Sequence, residues 1–220
     1  MKTQKKILIF LLFLFFAFYT EAQGENLSDY DSFLGNSAAE IHTLEKELKN
    51  EGAQKLLLKI IKEASIKKVP AGQLLLFIKR EKKNLLFIDE ISLKYKIKDI
   101  LLLDNVFFLI RNKFTIAQIE KILFNLTSDS FQEQLSKMIY FYLSYEDQIA
   151  IPFHQNEITE IALAVFRANP DEDYLKRLIG ILSSLRDKKI NTQKASQVLM
   201  KAVLKKKNPR QIEDLLKEIE

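Results

Sequence analysis

From Ser37 onward, apolar residues recur at helical spacing with Glu and Lys on the intervening faces, and this pattern predicts helix throughout. Ile41, Leu44 and Leu48 form a first stripe. Leu56, Leu57, Ile60, Ile61 and Ala64 form a second, which stops before Pro70. A third begins at Leu74, Leu75 and Ile78, and a fourth runs through Leu85, Leu86, Ile88 and Leu93. Residues 97–110 are more uniformly apolar, as in a helix buried between neighbours. Residues 23–36 are polar, contain Gly and lack periodicity, so they read as a flexible leader.

Start signals sharpen in the C-terminal half. Thr115-Ile116-Ala117-Gln118 and Ser130-Phe131-Gln132-Glu133 fit the capping box, in which each side chain satisfies an orphaned backbone N–H. Asn169-Pro170 and Asn208-Pro209 fit an N-cap Asn followed by Pro at the first helical position. Asp171, Glu172 and Asp173 then suit a first turn, and Lys205 to Lys207 a last turn. With only 5 Gly and 4 Pro, the chain is short of the turn residues that a β-rich fold needs.

Sliding the chain on itself by 39 residues aligns Phe114 with Phe153, Ile119 with Ile158, Ile122 with Ile161, Glu133 with Glu172 and Leu143 with Leu182. The Asn-Pro pairs recur at the same offset, while the next first helix fits better at 37. The expected fold is therefore all-α: an irregular, α-solenoid-like array of antiparallel helical hairpins with a unit of roughly 39 residues. Residues 37–220 are expected to form a single domain, and residues up to Arg111 fit the repeat poorly. The chain has no Trp, so the resemblance to tetratricopeptide arrays is one of format only.

The first 22 residues read differently. Lys2, Lys5 and Lys6 precede an unbroken apolar run from Ile7 to Tyr19, and Thr20-Glu21-Ala22 places small residues before Gln23. This is the pattern of a cleavable signal peptide, and the run is short for a transmembrane helix, which needs about 20 residues. The expectation is an exported chain, periplasmic or secreted, with no stable transmembrane span after cleavage. The absence of Cys excludes lipoprotein processing and disulfides. Removing three basic and one acidic residue with the signal lowers the net charge from +5 to +3, which weakens a nucleic-acid reading.

Catalytic motifs are missing: no GxGxxG, phosphate-binding loop, HExxH or GxSxG occurs. With no Cys and only His42 and His154, no usual zinc set can form, and no cofactor is expected. His42 reads as a solvated surface histidine, and Asp171-Glu172-Asp173 as helix N-terminal charge. Tyr140 to Phe153 runs aromatic and apolar into a loop. The plainer reading has it close over the core; the functional one makes Tyr142, Tyr145, Ile151, Phe153 and His154 a partner-binding surface. Basic clusters at Lys79-Arg80-Lys82-Lys83, Lys188-Lys189 and Lys205 to Lys207 read as solvated faces, or as contacts to anionic envelope polymers or lipid headgroups.

The leading expectation is a non-enzymatic interaction or scaffold module of the cell envelope or secretome, whose partner is a protein or an envelope polymer. The alternative is an envelope hydrolase, for example peptidoglycan-directed, with an unrecognised carboxylate site.

Overall fold

The computed structural model describes residues 25–148, 153–184 and 191–218. The signal pattern at 1–22, Ile151 and Lys188-Lys189 lie outside the described residues. Among the described residues the fold is all-helical, without strands. Ten helices of eight residues or more are α1 Ala38–Glu47, α2 Glu51–Ile66, α3 Ala71–Tyr95, α4 Ile100–Arg111 and α5 Ile116–Leu123, then α6 Phe131–Gln148, α7 Gln155–Ala168, α8 Glu172–Ser184, α9 Thr192–Leu204 and α10 Pro209–Lys217. Residue contacts divide into two compact units, with the boundary between Asp89 and Glu90.

In the first unit, the stretch expected to be a flexible leader is, from Leu27 on, a run of short helical turns. Leu27 and Leu34, seven residues apart, are both buried and anchor it. So sparse a pair gives no visible periodicity, which is why the sequence suggests a polar leader. Lys62 Nζ donates to both Glu25 carboxylate oxygens at 2.9 Å, and Gly35 turns the chain at φ 50°. Helix α1 then buries Ile41 and Leu44, and α2 buries Leu56, Leu57, Ile60, Ile61 and Ala64 as its stripe predicts. Asn50 caps α2 by accepting from the Gly52 N–H at 2.7 Å; its own N–H donates to the buried Asp89 carboxylate at 2.7 Å.

The third and fourth stripes belong to one 25-residue helix, α3, and not to two. Leu74, Ile78, Glu81, Leu85 and Ile88 are buried at alternating spacings of four and three, so the stripe is continuous. A charged residue occupies its middle. The Glu81 carboxylate accepts from Asn84 Nδ2 at 2.8 Å and Arg80 Nε at 3.1 Å, which offsets its desolvation. The pattern breaks in sequence there but not in space.

In the second unit, Asp99 caps α4 through the Leu101 and Leu102 N–H groups, and Thr115 with Gln118 closes the expected capping box on α5. Helix α7 packs against α5, α6 and α9, while α8 packs against α6 and α10, and α9 against α10. Nine of the fourteen α7 residues are buried, including the unbroken run Ile161 to Phe166. Phe166 meets Phe131 of α6 edge-on at 6.0 Å. The most enclosed helix is thus α7; α4, expected in that role, leaves Leu101 exposed.

Helix ends use an unexpected residue. Lys68, Lys96, Lys113 and Lys206 all have φ between 48° and 65°, the left-handed region normally given to glycine. After each, the next N–H reaches back into the helix: Val69 to Ala64, Ile97 to Ser92, Phe114 to Leu109 and Lys207 to Ala202, at 2.9–3.1 Å. Ile97 and Phe114 are buried, and so clamp the reversal from below.

One proposed N-cap is corrected. Asn169 is not the N-cap of α8 but the left-handed C-cap of α7, at φ 42°. Asp171 accepts from the Tyr174 N–H at 2.7 Å and caps α8 in its place. Asn tolerates this backbone conformation, and Pro170 follows because proline cannot continue a helix. Asn208-Pro209 behaves as expected, with Pro209 first in α10 and Gln211 completing a capping box.

The left-handed lysines give a direct stability test. Lys113→Gly is expected to raise unfolding stability by about 1 kcal/mol in urea titration, because glycine adopts this conformation without the Cβ penalty. A β-branched residue at the same position is expected to lower it.

Candidate functional site

The predicted aromatic surface lies where the α4–α5 connection, the C-terminal half of α6 and the start of α7 meet. Tyr142 is only 2 % exposed. Its ring packs edge-on to Phe108 at 6.0 Å and tilted against Phe114 at 5.6 Å. Its hydroxyl accepts from Gln155 Nε2 at 2.9 Å and lies 3.4 Å from the Asn112 carbonyl. Gln155 Nε2 also donates to that carbonyl at 2.9 Å. A polar knot therefore joins α6 and α7 to the carbonyl at which α4 ends.

Phe153, 8 % exposed, packs its ring 6.0 Å from that of the half-buried Tyr145. The Tyr145 hydroxyl is 3.5 Å from the Phe153 carbonyl. His154 is exposed and forms the N-cap position of α7, its N–H donating to Glu157 Oε2 at 2.8 Å. The structure thus brings Tyr142, Tyr145 and Phe153 together through core packing and leaves His154 facing solvent. Ile151 lies outside the described residues. Gln155, which no sequence motif singles out, makes the bonds that tie Tyr142 to the end of α4; only its place one residue past an N-cap hints at it.

In the first unit, a shallow groove of about 230 Å³ runs between α1 and α3, floored by Leu44, Leu75 and Ile78. Its walls are ion pairs: Glu40 with Lys79 at 2.6 Å and Glu47 with Lys82 at 2.7 Å. Arg80 sits 5.4 Å over the Phe77 ring, beside Glu81. The basic cluster singled out in α3 is therefore largely engaged by carboxylates of the same chain. Asp171 caps α8, and Glu172 pairs with Lys176 at 3.6 Å, so that acidic run acts at a helix N-terminus. Among the described residues, no group of three or more His, Asp or Glu could hold a metal ion, and no helix is long and apolar enough to cross a membrane.

His42 is more engaged than a solvated histidine. Its Nε2 lies 2.8 Å from Asp31 Oδ1 and its Nδ1 3.3 Å from Glu45 Oε2. The Asp31 hydrogen bond raises its pKa against partial desolvation, and Glu45 adds to the rise. The two carboxylates flank opposite ring nitrogens, an arrangement suited to an imidazolium and not to chelation.

Comparison with protein-family models, curated proteins and solved structures finds no match to this chain.

Because the folded pKa of His42 is raised, the stabilisation it gives is fully present below the ordinary histidine pKa and is lost as pH rises through the folded value. The stability advantage over His42→Gln should therefore shrink from pH 5 to pH 8. In NMR titration, Asp31→Asn should lower the pKa of His42.

Proposed function

We propose that this chain is an exported, non-enzymatic interaction module of the cell envelope, in which α5 to α10 form a short array of helical hairpins. The observation that carries the array is the alternation of contacts: α5 with α7 and α7 with α9 in one layer, α6 with α8 and α8 with α10 in the other. The N-cap positions Thr115, His154 and Asn191 support it, since they fall 39 and 37 residues apart on successive first-layer helices. Burial supports it too. Ile119, Ile158 and Ala195 are equivalent buried positions, as are Leu123, Ala162 and Leu199.

In the second layer, burial favours an offset of 40 over the 39 suggested by the Glu and Lys matches. That shift pairs Leu135 with Leu175, Met138 with Leu178, Ile139 with Ile179 and Tyr142 with Leu182, all buried. Surface charges are free to drift in register, whereas core positions are not. Leu175 and Ile179 then repeat at Ile212 and Leu216 of α10. The other face of α10 is polar, as a terminal capping repeat requires.

Interaction without catalysis is supported by how the acidic side chains are used. Glu25, Glu40, Glu47, Glu51 and Glu120 each pair with a lysine within 3 Å, and Asp99 and Asp171 cap helices. Carboxylates held in this way are already engaged by structural partners. Nothing among the described residues favours the hydrolase alternative. Export is supported by the Lys2-Lys5-Lys6 and Ile7–Tyr19 pattern.

Among the described residues of this end, His154 and its neighbours Gln155 and Asn156 are exposed while Tyr142 and Phe153 are buried, so a partner here meets the start of α7. A photo-crosslinker placed at His154 should capture one saturable partner from an envelope extract, and the same probe at Lys176 should not. Equal, unsaturable labelling at both positions would defeat the proposal.

A further inference from the structure

The sequence holds six basic residues and no acidic one between Asn191 and Ile212: Lys194, Lys201, Lys205, Lys206, Lys207 and Arg210. All but Lys207 are exposed. No ion pair joins any of them to an acid among the described residues. This separates them from the α3 cluster, where Lys79 and Lys82 are taken up by Glu40 and Glu47. The two clusters look alike in sequence, and among the described residues ion pairs take up only the first.

Their placement is one-sided. Helix α9 buries Ala195, Ser196, Leu199, Ala202 and Val203. Lys194, Lys201 and Lys205 stand seven and four residues apart, within about 40° of each other on the opposite side at 100° per residue. They form a stripe about 16 Å long at 1.5 Å per residue. Lys206, in its left-handed turn, continues the charge past the helix end, followed by Lys207 and Arg210. Leu204, 47 % exposed, sits beside the stripe. Among the described acidic groups on the helices packed against α9, Glu213 of α10 is paired with Lys217 at 2.8 Å, and on α7 Glu157 accepts from the His154 N–H and Glu160 from Gln118 Nε2, both at 2.8 Å; Asp214, one turn beyond Arg210, is exposed and balances one of the six cations at most.

We infer that this face of α9 and the α9–α10 turn docks on an anionic phospholipid surface. Five of the six cations are lysines, which act as point charges and lack the fork that reads individual phosphates, so they suit a diffuse anionic sheet. The exposed Leu204 among lysine stems fits the headgroup boundary, where the stems lie along apolar surface and the ammonium groups stay in water. A soluble polyanion would leave Leu204 in water. Among the described residues of the stripe there is no aromatic ring on which a nucleic-acid base could stack. The inference goes beyond the scaffold reading and stands whether or not the hairpins form an array.

The chain contains no Trp, so Leu204→Trp places a single indole at the proposed contact in the full-length protein. Its emission should shift to the blue with vesicles containing phosphatidylglycerol, not with phosphatidylcholine alone, and the shift should weaken with added salt. In that background, replacing Lys201, Lys205, Lys206 and Lys207 by Gln should raise the lipid concentration at half-shift by about fivefold per lysine. Lys121→Gln, on an exposed position of α5, should leave it unchanged. No shift with anionic vesicles, an equal shift with neutral ones, or indifference to the four substitutions would overturn the inference. An equal shift with inorganic polyphosphate would overturn it in favour of a soluble polyanion.

Discussion

The enclosure of α7 is the constraint on which the second unit depends. Ile161 to Phe166 are buried without a gap, so this helix has no solvent face through its middle and must be surrounded. Helices α5, α6 and α9 supply that surround. Ala162 and Ala164 let neighbouring backbones come close, while Ile161, Leu163, Val165 and Phe166 supply most of the apolar area; burying a side chain of that size is worth about 1.5–3 kcal/mol. Both ends are pinned. Gln155 ties the start to Asn112 and Tyr142, and the left-handed Asn169 stops the helix before Pro170.

The same packing explains the aromatic cluster. Tyr142 and Phe153 were candidates because aromatic residues running into a loop suggest a binding surface. In the structure Tyr142 fills the wedge between Phe108 and Phe114, and its hydroxyl meets polar partners at the edge of that wedge. An aromatic side chain with one wet end suits such a boundary as well as it suits an interface. Periodicity alone does not separate the two, since both place the residue on an apolar face.

Much of the fold was legible because local signals and apolar stripes agreed. The α2 stripe, the Thr115 and Asn208 caps and the all-helical class follow from residue spacing and from the orphaned N–H groups that the caps satisfy. The rest depended on long-range compensation. Glu81 breaks the α3 stripe in sequence, yet Asn84 and Arg80 make its burial tolerable. Leu27 and Leu34 are too sparse to betray a packed segment. The lysines that end helices occupy a glycine role, which no residue-by-residue rule assigns to them. For candidate sites the decisive information was pairing: Lys79 and Lys205 are equivalent in sequence, but among the described residues only the first pairs with a carboxylate. Pairing between helices is a property of the tertiary fold.

Native-state hydrogen exchange across the second unit tests the central role of α7 most directly. The Ile161 to Val165 amides should exchange only through global unfolding, more slowly than those of α8 or α10, and with the full denaturant dependence of the transition. Exchange of these amides by local opening, earlier than in α8, would contradict the account.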